Sequence, residues 1–479
     1  MSLQNWPVFS FLEPKFISKI HMVIVYGSLG NEALIVTKDK VVYGVGKNAC
    51  GCLGTGDYDG TLCPKKVDAL RNKDIKIFAY GKGPHVLALT ADGQVYSWGY
   101  NTYYELGNGT TTQGSRPVLV GGTLSDKFVV DIACGGHHSL ALTDDGVVYA
   151  WGKNSLGQVA ATVHVYQSTP SRVHSTLAEK KVVCISCGHS SSIAVTNDGE
   201  VYSWGSNATG QLGIGNYINQ LIPHKVALPS GVIIKKVMCG YAHALALSYE
   251  GVLYVWGENK YGQLGLNDKK SYNYPVKLES RIMGRILDVA TSHYNHISIA
   301  MTEANQIFLW GQCLGLNVTE PIQFPVGCMH DALAYYASPG VMHQPLILHD
   351  EKEEMSLTDC LKEAFDDSST SDLVIQVRGK PIYVHKAVLK IRSQYFRRMF
   401  RNTSEKEKQS IIIKHQEFSY DVYRAFLKYL YTDRVDLPPE SIRELLDLAN
   451  IYSESQLKEC CMQMVMKPNT VDKPVPASL

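Results

Sequence analysis

The chain has 479 residues, 45% hydrophobic and 19% charged, a globular composition that excludes disorder over most of its length. Forty-six Lys and Arg against 45 Asp and Glu leave a net charge of +1, which excludes a general pull toward nucleic acid or an anionic membrane surface. No run approaches the ~20 apolar residues of a membrane-spanning helix, and 12 cysteines are too sparse for a disulfide scaffold.

The first expected element is a strand at Pro7-Val8-Phe9. From Tyr43 onward the chain repeats itself. Tyr96-Ser97-Trp98-Gly99, Tyr149-Ala150-Trp151-Gly152, Tyr202-Ser203-Trp204-Gly205 and Tyr254-Val255-Trp256-Gly257 align, with Phe308-Leu309-Trp310-Gly311 and Tyr43-Gly44-Val45-Gly46 as diverged copies. Positions 45, 98, 151, 204, 256 and 310 lie 53, 53, 53, 52 and 54 residues apart, and five of the six tryptophans occupy them.

Each unit reads as four strands. The first ends in small residues, as in Ile132-Ala133-Cys134-Gly135. The second is short and apolar, as in Leu140-Ala141-Leu142. A tight turn follows at Asp92-Gly93, Asp145-Gly146, Asp198-Gly199 and Glu250-Gly251, where glycine accepts the positive φ the turn needs. Asn305 takes the glycine place in the sixth unit. Alternation on the third strand puts Tyr and Trp on one face. A glycine-bounded loop follows, as in Gly210-Gln211-Leu212-Gly213, and the fourth strand carries a proline (Pro117, Pro170, Pro223, Pro275), which suits an outer edge. Four-stranded units of this length around an axis make a β-propeller, with small residues at the axis and Trp and Tyr between blades.

Asp331–Tyr336 and Pro345–Leu348 read as the first two strands of a seventh unit, which Pro7-Val8-Phe9 would complete. Seven blades are expected, the seventh shared between the two ends; six is the alternative. The propeller is placed at 1–348.

After Leu348 the repeat stops. A charged linker is expected at 349–355, an α/β domain at 356–467 and a flexible tail at 468–479. In the α/β domain Leu357, Leu361, Ala364 and Phe365 follow a helical period. Leu373, Ile375 and Val377 alternate as a strand, paired with Pro381–Val384 across a Gly379-Lys380 turn. Helices are expected at 385–391 and 393–400, a strand at 411–413, and helices near 420–431, 441–452 and 454–465.

The repeats, with Tyr-x-Trp-Gly, the Gly-Gln-Leu-Gly loop and Cys134-Gly135-Gly136-His137-His138 or Cys239-Gly240-Tyr241-Ala242-His243, resemble those of the regulator of chromosome condensation. WD and kelch repeats fit worse in period and signature. Ser371-Asp372-Leu373-Val374, Val384-His385-Lys386-Ala387, Ser393-x-x-Phe396-x-x-Met399-Phe400 and Phe426–Asp433 resemble a BTB (POZ) domain. Together the chain resembles the family of RCC1-and-BTB-domain-containing proteins.

The resemblance implies a non-enzymatic adaptor. Its BTB domain would form a twofold homodimer and engage cullin-3, and its propeller would hold an unknown protein destined for ubiquitin transfer. Asp372, His385, Phe396, Met399 and Phe400 carry the BTB signature. Ser404, Lys406 and Tyr431 are the candidate cullin-contacting residues, although 401–407 lacks the hydrophobic anchor usual there. In the propeller, Trp98, Trp151, Trp204, Trp256, Trp310, His138 and His243 are expected to be structural.

The alternative function is guanine-nucleotide exchange on a Ran-like small GTPase, by analogy with the propeller's namesake. Exchange needs an inserted wedge, and the even repeat spacing leaves no room for one. The recurring histidines His85, His138, His243 and His296 read as turn-bonding residues rather than a metal ring. Cys184 and Cys187 read as repeat cysteines rather than half a zinc site. No cofactor, metal, direct nucleic-acid contact or membrane contact is expected. The N-terminus lacks the apolar core of a secretory signal, so cytoplasm or nucleus is expected.

Overall fold

The computed structural model describes residues 3–161, 165–280, 282–348, 361–362, 364–368, 370–400, 410–413, 418–435 and 437–466. The chain divides into two compact units, Met1–His349 and Asp350–Leu479.

The described residues of the first unit hold six antiparallel sheets, one for each repeat: blades 1 to 6 at 20–66, 75–119, 129–172, 182–225, 234–277 and 286–324. In every blade the strands are hydrogen-bonded in chain order. The first strands of consecutive blades 2 to 6 pack side by side. Together with Ile24, His343, Gln344, Pro345 and Ile347 they line a central channel of about 400 Å³. Small residues such as Ala79, Ala133 and Ser186 reach it, as the repeat pattern requires. The third-strand tryptophans are fully buried.

The turns between second and third strands use left-handed glycine where the sequence offers it, for example Gly146 at φ +85°, and Asn305 at +56° in blade 6. The fourth strand pairs with the third in two short stretches separated by a register shift. Pro64, Pro117, Pro170, Pro223, Pro275 and Pro321 fall at that interruption, where no ladder donor is required.

Six sheets match the alternative blade count, and the ends close the ring differently from the expectation. Pro7–Phe9 is a 3-10 turn rather than a strand, with Pro7 at its first position. Met329–Tyr336 is an α-helix rather than a strand, and the Cys328 sulfur caps it by accepting from the Asp331 N–H. The helix packs on the second and third strands of blade 6 and on the N-terminal 3-10 turn Leu3–Asn5. Of the expected seventh unit, Leu346–Ile347 alone is a strand, and it pairs with Met22 and Val23 of blade 1. The two ends still meet: Asn5 Nδ2 donates to Asp331 Oδ1 at 2.9 Å, and the Tyr335 hydroxyl donates to Asn5 Oδ1 at 2.7 Å. Trp6, Phe9 and Leu12 are buried in the same core as blade 1 and the closing helix.

The second unit has a three-stranded sheet ordered Lys380–Val384, Leu373–Val377, Ser410–Ile413; the first pair is antiparallel and the second parallel. The hairpin turn is Arg378-Gly379, both at positive φ (+50° and +79°), one residue before the expected site. Helices follow at Lys386–Arg392, Gln394–Met399, Tyr420–Thr432, Ile442–Ile451 and Ser455–Met466. Ser393 and Ser419 cap two of them through their hydroxyls. Phe396, Phe426, Leu445, Leu448 and Leu457 form the core with the sheet. Leu357, the expected linker and the tail lie outside the described residues.

Candidate docking surface on the propeller

One hydrogen-bond key joins each blade to the next. The indole N–H of Trp98, Trp151, Trp204, Trp256 and Trp310 donates to the carbonyl of Cys52, Glu105, Gln158, Gln211 and Gln263, in the loop of the preceding blade, at 2.7–3.0 Å. The Ser139, Ser192 and Ser298 hydroxyls reach the Glu105, Gln158 and Gln263 carbonyls as well. Those serines are held in turn by His85, His138 and His243 Nε2 of the blade before, at 3.0, 2.9 and 2.9 Å. Each histidine thus bonds across the blade interface, not to its adjacent turn as expected. Burial pushes His138 and His243 down to about 3, so the rings are neutral at pH 7.

Three positions depart from that pattern; in blade 4 the site holds Ser191, paired with Gly205. His296 does not share the site: the equivalent residue in blade 6 is Ile297, which pairs with Gly311 as His138 pairs with Gly152. In blade 1 the site holds Glu32, paired with Gly46. Burial raises its carboxyl to about 7 against the opposing charge of Lys47.

Sequence reading missed a buried asparagine three residues after each Trp position in blades 1 to 5: Asn48, Asn101, Asn154, Asn207 and Asn259. Each side-chain oxygen accepts the N–H of the residue five positions on, such as Leu106, Leu212 and Leu264, and each amide donates into the same loop. The signal was present, since Trp-Gly-x-Asn recurs four times.

These keyed loops, together with the turns between first and second strands, build one face around the channel mouth. The turns are stitched by backbone bonds from blade to blade: Gly136 N–H to His189 O, His189 N–H to Tyr241 O, and Tyr241 N–H to Asn295 O. The Tyr294 hydroxyl crosses to the Gly81 carbonyl at 2.9 Å, and the Tyr80 hydroxyl reaches the Met342 carbonyl at 2.6 Å. Buried Tyr80, His293 and Tyr294 meet one another at tilted angles, and Tyr80 and His293 line the channel.

The same loops and turns carry a continuous belt of rings. Tyr166 stacks on Tyr103, which meets His137; His137 meets His189; His189 lies flat on Tyr241 at 4.7 Å and 13°; Tyr241 and Tyr261 both contact His296. Lys153, Lys82 and Lys260 ammoniums sit over Tyr103, Tyr241 and Tyr261 at 4.8, 5.1 and 5.4 Å. His137 Nδ1 is 2.9 Å from buried Glu105, and His296 Nδ1 is 3.3 Å from Glu258. His189 is held down at about 4 by burial and by Lys82, His137 and Lys153. The belt rings are half-buried except for exposed Tyr166, and Lys82 and Lys260 are exposed. Rigid aromatics with cationic tips are the side chains that anchor protein interfaces.

In the second unit, the Asp372 carboxylate accepts the Lys386 N–H at 2.7 Å and so caps the helix Lys386–Arg392. His385 is that helix's N-cap residue. Phe396 and Phe400 are buried and Met399 is half-buried against them. Tyr431 is corrected from contact residue to core: it is 3% exposed and its hydroxyl accepts the His385 N–H at 2.6 Å. Ser404 and Lys406 lie outside the described residues. Among the described residues no three His, Cys, Asp or Glu side chains converge as a metal site, and no helix is long and apolar enough to cross a membrane.

Known proteins resemble the two units separately. The chain is 34% identical over 288 residues to the ultraviolet-B receptor UVR8 of Arabidopsis thaliana, covering 59% of this chain and 64% of that protein. It is 32% identical over 297 residues to the E3 ubiquitin-protein ligase HERC2 of Homo sapiens, covering 60% of this chain and 6% of that protein. The chain therefore spans less than two thirds of either relative. The solved structure of yeast RCC1 (Prp20) bound to Kap60 matches at 22% identity with a TM-score of 0.57, over 72% of this chain and 83% of that one, which shows a shared fold. An RCC1-like domain model matches residues 22–331 and a BTB/POZ domain model matches residues 361–468. The chain belongs to the RCC1-like domain family, in the branch that joins such a propeller to a C-terminal BTB/POZ domain.

Proposed function

We propose that the protein is a dimeric adaptor that does no chemistry of its own. The BTB/POZ unit pairs with a second copy and engages cullin-3, and the propeller presents the aromatic belt to a client protein. The belt carries the reading, because rings from five blades converge on one accessible face with lysines above them. Support for pairing comes from the BTB/POZ match, a domain built for protein contacts. Nucleotide exchange gains no support: the third strands of blades 2 to 6 follow one another at even spacing, with no inserted wedge among the described residues.

The test uses the full chain. Sedimentation should give a dimer, and titration with cullin-3 should saturate. The variant Tyr103→Ala/Tyr241→Ala should keep both properties and its melting temperature, yet lose most client proteins recovered by cross-linking in cells. A wild-type client set retained by that variant would sink the belt reading. A monomer would sink the pairing.

A further inference from the structure

A second surface lies at the ring's seam, away from the belt. In four blade pairs a backbone N–H just past the glycine-bounded loop donates to a carbonyl on the next blade's fourth strand. These are Gly56 to Ser115, Gly109 to Ser168, Gly215 to Asn273 and Asn267 to Thr319, at 2.7–3.0 Å. The loops lie so close that a Cβ on Gly51, Gly157, Gly210 or Gly262 would meet Ser115, Leu221, Asn273 or Thr319 at under 3 Å. By register the equivalent seat in blade 1 is Leu62, since Thr61 faces Gly46 as Gly114 faces Gly99.

Nothing in the repeat fills that seat. Blade 6 joins its third and fourth strands by a tight turn at Leu314-Gly315 in place of the long loop, and the next element is the closing helix. Val45 stands where the other blades hold Trp, so no indole asks for a loop carbonyl. The N-terminal turn covers the inner part of the site with Trp6 and Phe9 but leaves its outer part open. The result is a groove of about 460 Å³ lined by Val8, Phe11, Leu29, Asn31, Val45 and Leu62, among others. Phe11, Leu29 and Leu62 are 73%, 67% and 69% exposed, an apolar cluster unlike ordinary scattered surface residues. The buried Asn31 Oδ1 has no hydrogen-bond partner among the described residues.

We propose that this groove receives a glycine-bracketed turn from a separate partner protein, a copy in trans of the loops Gly51–Gly54, Gly210–Gly213 and Gly262–Gly265 that seat on blades 2, 5 and 6. The turn donates a main-chain N–H to the Leu62 carbonyl. Its glycine lies flat on the strand, and an aliphatic side chain packs against Phe11 and Leu29. Those three internal seats define the occupant's shape, and the apolar lining defines its side chain.

The probe is a cyclised, fluorescently labelled peptide of this chain's own residues 260–267, titrated into the full-length protein and read by anisotropy. Saturable binding is expected. Leu62→Glu, an exposed change, should weaken it roughly tenfold or more without moving the melting temperature. The same peptide with both glycines changed to valine should not bind. The proposal is overturned by a linear, unsaturated titration, by equal affinity of Leu62→Glu, or by equal binding of the valine peptide. It is also overturned if Leu62→Glu alters the oligomeric state, because a second copy would then fill the groove.

Discussion

Blade 1 and blades 2 to 6 solve the same packing problem with different parts. In the later blades a fully buried tryptophan donates to the preceding loop, so each blade is locked by one residue type at one position. Blade 1 has no preceding loop, and its Trp position holds Val45. It is secured instead by Trp6, Phe9 and Leu12 from one end of the unit and by Leu346–Ile347 from the other. A repeat can therefore be copied around an axis, but the copy that closes it has to be made from something else.

Removing residues 3–12 should have the largest effect. Four buried side chains, Leu3, Trp6, Phe9 and Leu12, leave the core, each worth roughly 1.5–3 kcal/mol, and the Asn5–Asp331 bond goes with them. Denaturant unfolding should show the propeller destabilised by roughly 6–12 kcal/mol. A loss below about 2 kcal/mol would mean the seam holds without its N-terminal half.

The internal lock comes next. Trp204→Ala should destabilise by roughly 3–5 kcal/mol, the range for a buried aromatic, whereas Val45→Ala should lose roughly 1–2. Equal losses would erase the distinction between the blades.

The smallest effect sharpens the comparison through pH. His138 and His243, lowered to about 3, bind no proton in the folded state between pH 3 and 6.5. The unfolded chain does, so they withdraw stability as pH falls below 6.5. Glu32 occupies their site in blade 1 with its pKa raised to about 7, so it weakens the folded state above pH 7 and ceases to do so as pH falls toward 4.5. Glu32→Gln should accordingly stabilise the protein by about 1–3 kcal/mol at pH 8 and by much less at pH 5. A pH-independent gain would show that packing, not charge, sets the effect.

Much of this was legible before the structure. The period, the tryptophan ladder and the turn glycines follow from local chemistry repeated six times. The seam was not, because it has no repeat to average over. Asp331–Tyr336 alternates weakly enough to read as a strand, yet Met329, Leu333 and Tyr336 share a helical face and Cys328 starts the helix. Pro7 suits a turn as well as an edge strand. The histidine register slipped by one at His296 because His137 and His138 are neighbours, and either aligns by eye. The belt was invisible for a different reason. Tyr103 and Tyr261 both stand five residues after a repeat tryptophan, 158 residues apart, but the rings between them come from other positions of the repeat, so only ring closure brings them into one surface.

Fastening the last residues of the unit onto its first strand removes both free ends from which a stacked array would fray. Under tension the blades should not peel away singly. Pulling between the termini of Met1–His349 should load the Leu346–Ile347 pairing first, hold, and then release the whole unit in a single extension, with slow amide exchange spread evenly over blades 2 to 5 until that moment.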